Sequence, residues 1–233
     1  MVETDDLVAA VRSTLRAAAD PSLAPGQQAY MKSSMPFLGV RVPEVRRLVR
    51  SEVRARGEAR PDVLRGAAEL LWDEATHREE RYAALALVAL RPLRGEWSTV
   101  DLLEHFARSG AWWDLVDETA HRVGDLHDAH PQPAAARARV WSRDESRWVR
   151  RLAILGQLGR RDRVDVDLLA EVLEPNLADP DFFIRKAIGW ALREVSSVHP
   201  DWVVAYVDAH ALSPLSRREA LKRIRLRSEV PSH

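Results

Sequence analysis

The chain has 233 residues, 35 basic and 35 acidic side chains, 46% hydrophobic composition and no cysteine. That length supports one large domain or a continuous repeat array with a substantial core, and the lack of cysteine removes disulfides, thiolate nucleophiles and iron–sulfur clusters. No apolar run is long enough to cross a bilayer, and Glu3, Asp5 and Asp6 stand where a secretory signal carries positive charge, so a cytoplasmic protein with no membrane association is expected.

Apolar spacing is helical nearly throughout, and no segment alternates apolar and polar over strand length. Prolines punctuate the early helix starts, Pro43 in V-P-E-V-R-R and Pro61 in R-P-D-V-L, where a missing N–H costs nothing; Asp62 complements the positive helix end. A stripe from Tyr82 through Leu85, Val88 and Ala89 closes at Pro92. In G-A-W-W-D-L-V-D-E-T-A the core stripe is Trp112, Leu115, Val116 and Thr119. Trp113 and Asp117 share a different side of the same helix, at i and i+4, while Asp114 and Glu118 project toward solvent. A tryptophan beside a carboxylate, off the core stripe, fits a functional surface; it also fits packing of Trp113 against the next repeat with Asp117 paired to an arginine.

Gly124 to Pro133 is the most linker-like stretch and is predicted to be a long inter-helix loop. His121, His127 and His130 lie in or beside it without carboxylates at ligand spacing, so no metal is expected. In S-R-W-V-R-R-L-A-I-L-G-Q, Arg147 and Arg151 sit on the flank of their own stripe. In F-F-I-R-K-A-I-G-W-A-L-R-E the stripe is Ile184, Ala187, Ile188, Ala191, Leu192 and Val195, and Trp190 lies at its edge near Phe183, Lys186 and Arg193. An aromatic face with cations suits a nucleotide through stacking and phosphate contact, and it suits an inter-repeat seam as well. Pro200 in H-P-D-W-V-V opens a further helix.

A repeat runs through these elements. Arg-x-Ala-apolar occurs at Arg81, Arg151, Arg185 and Arg218; the last three are 34 and 33 apart, and the first gap of 70 spans two periods, with the missing copy falling near V-D-E-T-A. A period in the mid-thirties with two helices per unit predicts an all-α fold, an α-solenoid, with an antiparallel bundle as the alternative; the W-x-x-L-G-x-x-Y signature of the tetratricopeptide repeat is absent. One domain over 1–233 is expected, with helices in residues 1–35 capping the array. Zero net charge hides a blocked distribution. Arg137 to Arg163 holds nine Arg against three acids, Val164 to Asp181 six acids and no base, and Arg217 to Arg227 five Arg and one Lys against Glu219. Such blocks are compatible with a polyanion partner and with an ordinary exposed helical array.

Five segments, Y-M-K-S-S-M-P-F-L-G-V, W-W-D-L-V-D, R-R-L-A-I-L-G-Q, F-F-I-R-K-A-I-G-W-A-L-R-E and L-S-P-L-S-R-R-E-A-L-K, resemble those of AlkD-type DNA alkylation repair glycosylases, in the same order from about Tyr30 to Lys222. The second and fourth are the specific ones. The resemblance implies HEAT-like repeats with a concave face for duplex DNA, a catalytic Asp117, paired Trp113 and Trp190, a cleft Arg151 at a phosphate, and Tyr30 near the DNA. It implies a monofunctional glycosylase for cationic N3- and N7-alkylated purines that touches the lesion's backbone without a base pocket. Glu118 directly after the aspartate departs from the family pattern. Arg147, Lys186 and Arg193 join the expected DNA contacts from the helical-wheel reading.

No lysine occupies the matched catalytic positions, so strand cleavage through a Schiff base is not expected. No cofactor is expected either: Walker loops, dinucleotide turns, nucleophile elbows and H-E-x-x-H are all absent. The expected partner is duplex DNA carrying alkylated purines, bound by a monomer on the nucleoid. The competing readings are a catalytically silent helical scaffold for DNA or protein, which has no use for Asp117, and a nuclease, which needs clustered carboxylates for metal.

Overall fold

The computed structural model describes residues 2–57 and 60–228; the ends of the expected 1–233 domain, and the side chains of Arg225 and Arg227 in the last basic block, lie outside the described residues. The described residues form α-helices and short 3-10 turns with no strand, as the periodicity predicts. No described helix is long and apolar enough to cross a membrane. The chain packs as two compact units, residues 1–102 and 103–233.

The first unit contains α1 (Val2–Ala17), α2 (Ala24–Met31), α3 (Val42–Ala55), α4 (Pro61–Asp73) and α5 (Arg78–Val88). Pro43 and Pro61 occupy the first turns of α3 and α4, as their positions predict. Glu79, fully buried at the start of α5, accepts the backbone N–H groups of Leu38, Gly39 and Val40 at 2.9, 2.9 and 3.1 Å. That carboxylate pins the loop following Tyr30 and Lys32. Gly39 is required there: its φ is +92°, and a Cβ would stand 1.9 Å from the Asp20 carbonyl oxygen. Tyr30, near the end of α2, is 72% exposed.

Across the unit boundary runs α6 (Val100–Gly110). The second unit continues with α7 (Trp113–Ala129), α8 (Pro131–Trp141), α9 (Arg147–Leu155), α10 (Val166–Leu173), α11 (Phe182–Val195), α12 (Pro200–Ala209) and α13 (Pro214–Ser228). Here α7, α9, α11 and α13 pack one on the next, with α8 against α9 and α10. The Arg-x-Ala motif recurs on the second helix of each pair, and the replaced copy lies on α7, where Asp117-Glu118-Thr119 stands in its register. The motif's alanines explain the spacing. Ala153, Ala187 and Ala220 are buried, and Thr119 fills the same place on α7 with its hydroxyl returned to the Leu115 carbonyl at 2.8 Å. Small side chains there let successive helices approach closely.

Between Gly124 and Pro133 the structure departs from the predicted loop. α7 continues to Ala129 and α8 begins at Pro131, leaving only His130 between them. Gly124 is buried within α7, and Pro131 stands in the first turn of α8, where its missing N–H costs nothing. His127, read as a loop residue, is buried on α7, and desolvation lowers its pKa to about 4.

Candidate nucleic-acid and catalytic site

An open cleft of about 330 Å³ in the second unit is lined by Trp113, Asp117, Arg151, Phe182, Phe183, Lys186, Trp190 and Arg193. Its first wall is the start of α7. Ala111 turns the chain with φ +43°, and extended Trp112 precedes the helix, so that Trp113 begins α7 and Asp117 follows one turn later on the same side. Trp112 turns inward instead. Its ring packs with Trp148 of α9 and Phe183 of α11, the centroids lying 4.9 to 6.1 Å apart in tilted geometry. This aromatic cluster ties the starts of α7, α9 and α11 together, and its Phe183 also lines the cleft.

The opposite wall is α11. Asp181 caps it by accepting from Phe183 N at 2.8 Å and Ile184 N at 3.2 Å, fixing the helical phase. From that start Phe182, Lys186, Trp190 and Arg193 follow at intervals of four, four and three, one stripe facing the cleft. Trp113 and Trp190 are both half-buried.

Between the walls Asp117 meets Arg151 in a bidentate pair: Nε donates to Oδ1 at 2.7 Å and Nη2 to Oδ2 at 2.8 Å. The remaining terminal nitrogen, Nη1, donates to the Phe183 carbonyl at 2.6 Å. The arginine side chain is 4% exposed and the aspartate 15%. Burial pushes the Asp117 carboxyl above the usual carboxylate range, and Arg151 pulls against that shift. The fork geometry requires the carboxylate form, because a buried guanidinium facing a neutral acid is an uncompensated charge.

The structure thus gathers Trp113, Asp117, Arg151, Lys186, Trp190 and Arg193 into one cleft. Arg151 was expected at a phosphate; with every nitrogen engaged inside the protein, it is the partner that orients Asp117. The alternative in which Asp117 pairs with an arginine describes its ionic partner, while Trp113 keeps one side on the cleft. Arg147, 53% exposed, pairs with Asp181 and does not line the cleft. Tyr30 belongs to the first unit. Lys186 and Arg193 share Glu219 of α13 at 3.0 and 2.8 Å. The sequence reading missed Phe182, which is 54% exposed at the rim; its signal was the register, one turn before Lys186 on the stripe of Trp190. It also missed Glu219, seen only as a lone acid in a basic block. Among the described residues no three His, Asp or Glu side chains gather as metal ligands.

A family model described as DNA alkylation repair enzyme matches residues 11–224. Among solved structures, a protein from Enterococcus faecalis described as a predicted DNA alkylation repair enzyme is 28% identical, covering 88% of this chain and 95% of its own, with a TM-score of 0.76. AlkD2 from Streptococcus mutans is 16% identical over 83% of this chain and 92% of its own, TM-score 0.56. The alkylpurine DNA glycosylase AlkC from Pseudomonas fluorescens, solved on DNA containing an abasic-site analog, is 17% identical over 95% of this chain and 62% of its own, TM-score 0.52. The last two likenesses concern the fold. Comparison with curated proteins returned no match.

Proposed function

The chain belongs to the DNA alkylation repair enzyme family, and from that premise we propose that it is a monofunctional DNA glycosylase hydrolysing the N-glycosidic bond of cationic N3- and N7-alkylated purines in duplex DNA. The observation that carries the reading is Asp117: a carboxylate held by a buried guanidinium, in an open cleft between two indoles.

The chemistry asks little else of the protein. An alkylpurine with a formal positive charge is already a good leaving group, so no acid has to protonate it. What remains is to stabilise an oxocarbenium-like sugar and to present water. A fixed carboxylate serves both, as the opposing charge and as the acceptor of the water's proton. Trp113 and Trp190 offer ring faces to the cationic sugar and thin out bulk water, which strengthens the carboxylate's field. Arg151 supplies orientation: two N–H donors fix both oxygens of Asp117, and the Phe183 carbonyl fixes Arg151 in turn.

Lys186 does line the cleft, although the sequence reading found no lysine at a matched catalytic position. It is engaged by Glu219 at 3.0 Å, and strand cleavage through a Schiff base forms no part of this reading. On this reading Tyr30, Arg147, Lys186 and Arg193 contact DNA, and the enzyme acts as a cytoplasmic monomer without metal or cofactor. A silent scaffold would keep the Asp117–Arg151 pair for stability alone, so base release is what separates the two readings. The test is release of N7-methylguanine from alkylated duplex by purified protein in EDTA. Release with the strand left intact is expected. No release, or release that needs a divalent ion, defeats the reading.

A further inference from the structure

Resting on the glycosylase reading, we propose that Glu219 is a positioning residue: it clamps Lys186 and Arg193 on either side of Trp190 as a preset two-cation fork for a phosphate of the lesion strand. Each Glu219 oxygen serves one cation, Oε1 meeting Lys186 Nζ at 3.0 Å and Oε2 meeting Arg193 Nη1 at 2.8 Å. Lys186 and Arg193 stand two turns apart on α11, with Trp190 between them on the same stripe. Uncorrected, two flexible like charges at that spacing repel and spread over many rotamers. One carboxylate shared between them removes both problems and leaves the group net positive. The cation side chains remain 37% and 25% exposed, whereas Glu219 is buried, so the face offered to the cleft is cationic.

A second observation shows that the backbone is shaped around this clamp. Gly189, the residue before Trp190, has no room for a side chain: a Cβ would lie 2.6 Å from the Glu219 Cβ and 2.8 Å from the Ser216 carbonyl oxygen. The first turn of α13 is therefore seated directly on α11, and the Ser216 hydroxyl fastens it by donating to the Arg185 carbonyl at 2.8 Å. The glycine of A-I-G-W and the glutamate of S-R-R-E-A-L thus form one device. Lys186 and Glu219 also occupy the same position of successive repeats, 33 residues apart, so the stacking of α13 on α11 itself brings them face to face.

Glu219→Gln keeps the size and one acceptor but releases the cations. Simple removal of a negative charge beside DNA predicts tighter binding and unchanged chemistry. The clamp predicts that single-turnover excision falls by about tenfold while duplex affinity holds or rises, because the Trp190 flank loses its placement. In a Lys186→Ala/Arg193→Ala background the same substitution should change excision by less than about twofold, since nothing is left to position. Equal losses in both backgrounds, or no loss in either, overturn the proposal. The chain has only three lysines, Lys32, Lys186 and Lys222, so lysine side-chain NMR gives a readout independent of catalysis. The Lys186 signal must move on Glu219→Gln, and one that stays in place overturns the clamp. Wild-type protein that released no base would defeat the glycosylase reading instead, with the NMR result still judging the clamp.

Discussion

On the proposed mechanism, Asp117→Asn separates catalysis from folding, and the two effects can be sized separately. The amide keeps the size and one acceptor oxygen but loses the charge facing the sugar. Loss of one oriented electrostatic group commonly costs about 3–4 kcal/mol of transition-state stabilisation, so excision should fall by about a hundred- to a thousandfold. A cleft aspartate without a partner would leave folding nearly unaffected, whereas half of a buried ion pair would not, and the bidentate contact places Asp117 in the second case. Arg151 is 4% exposed and would keep its charge with one partner oxygen fewer. Breaking a fully buried pair costs about 3–5 kcal/mol; the part-open aspartate and the surviving amide oxygen reduce this to about 2–3 kcal/mol. For a chain of this size that lowers the melting temperature by about 4–12 °C. Single-turnover excision well below both melting temperatures, with calorimetry on the same proteins, reads the two effects apart. Wild-type excision in the mutant would remove Asp117 from the mechanism. Slow excision with an unchanged melting temperature would refute the claim that the pair supports the fold.

Three further outcomes follow from the same geometry. Trp113→Ala and Trp190→Ala should each slow excision more than they weaken duplex binding, because the proposed mechanism has the indoles favour the cationic transition state over the ground state; losses of rate and affinity in equal proportion would contradict this. Arg151→Met removes the group that holds down the pKa of a carboxyl already raised by burial, so the acid limb of the excision–pH profile should move to higher pH, and a limb that stays put would deny the coupling. His127 is buried in its neutral form with a pKa of about 4, whereas the unfolded chain takes up a proton near 6.5. Its contribution is therefore complete above pH 6.5 and is lost as pH falls toward 4, by about 3 kcal/mol; in urea titrations His127→Leu should flatten that decline.

How much of this was legible in the chain depends on whether a signal is local or arises between helices. The off-stripe placement of Trp113, Asp117 and Trp190 is a property of single helices, and a wheel reveals it without any partner. The helix starts at Pro43, Pro61 and Pro200 are equally local. The Gly124–Pro133 stretch has the composition of a loop, yet its glycine is buried inside α7 and its first proline opens α8, so the same residue types serve helices there. The fate of the cations was hidden because it arises between helices. Nothing within α9 says that Arg151 is turned toward Asp117, and nothing within α13 says that Glu219 reaches two residues of α11. Those facts depend on which positions successive repeats bring together.

The repeat register supplies that missing rule. Asp117 and Arg151 occupy the same motif position on α7 and α9, 34 residues apart. Stacked repeats juxtapose equivalent positions, so replacing the motif's arginine by a carboxylate in one copy confronts opposite charges across the α7–α9 seam. Arg147 and Asp181, again 34 apart, obey the same geometry on the next seam. An unbroken arginine column would place like charges against one another along the stack. The substituted copy relieves that repulsion and, because it lies next to Trp113 at the helix start, turns a structural ion pair into a carboxylate that is oriented on one side and open to a cleft on the other. The place where the repeat fails is therefore where chemistry is expected. A swap that restores the pair in the opposite sense, Asp117→Arg with Arg151→Asp, should recover much of the folding stability lost by either single change while leaving excision abolished. Excision regained by the swapped protein would show that the charge pair, and not the carboxylate's position beside Trp113, carries the reaction.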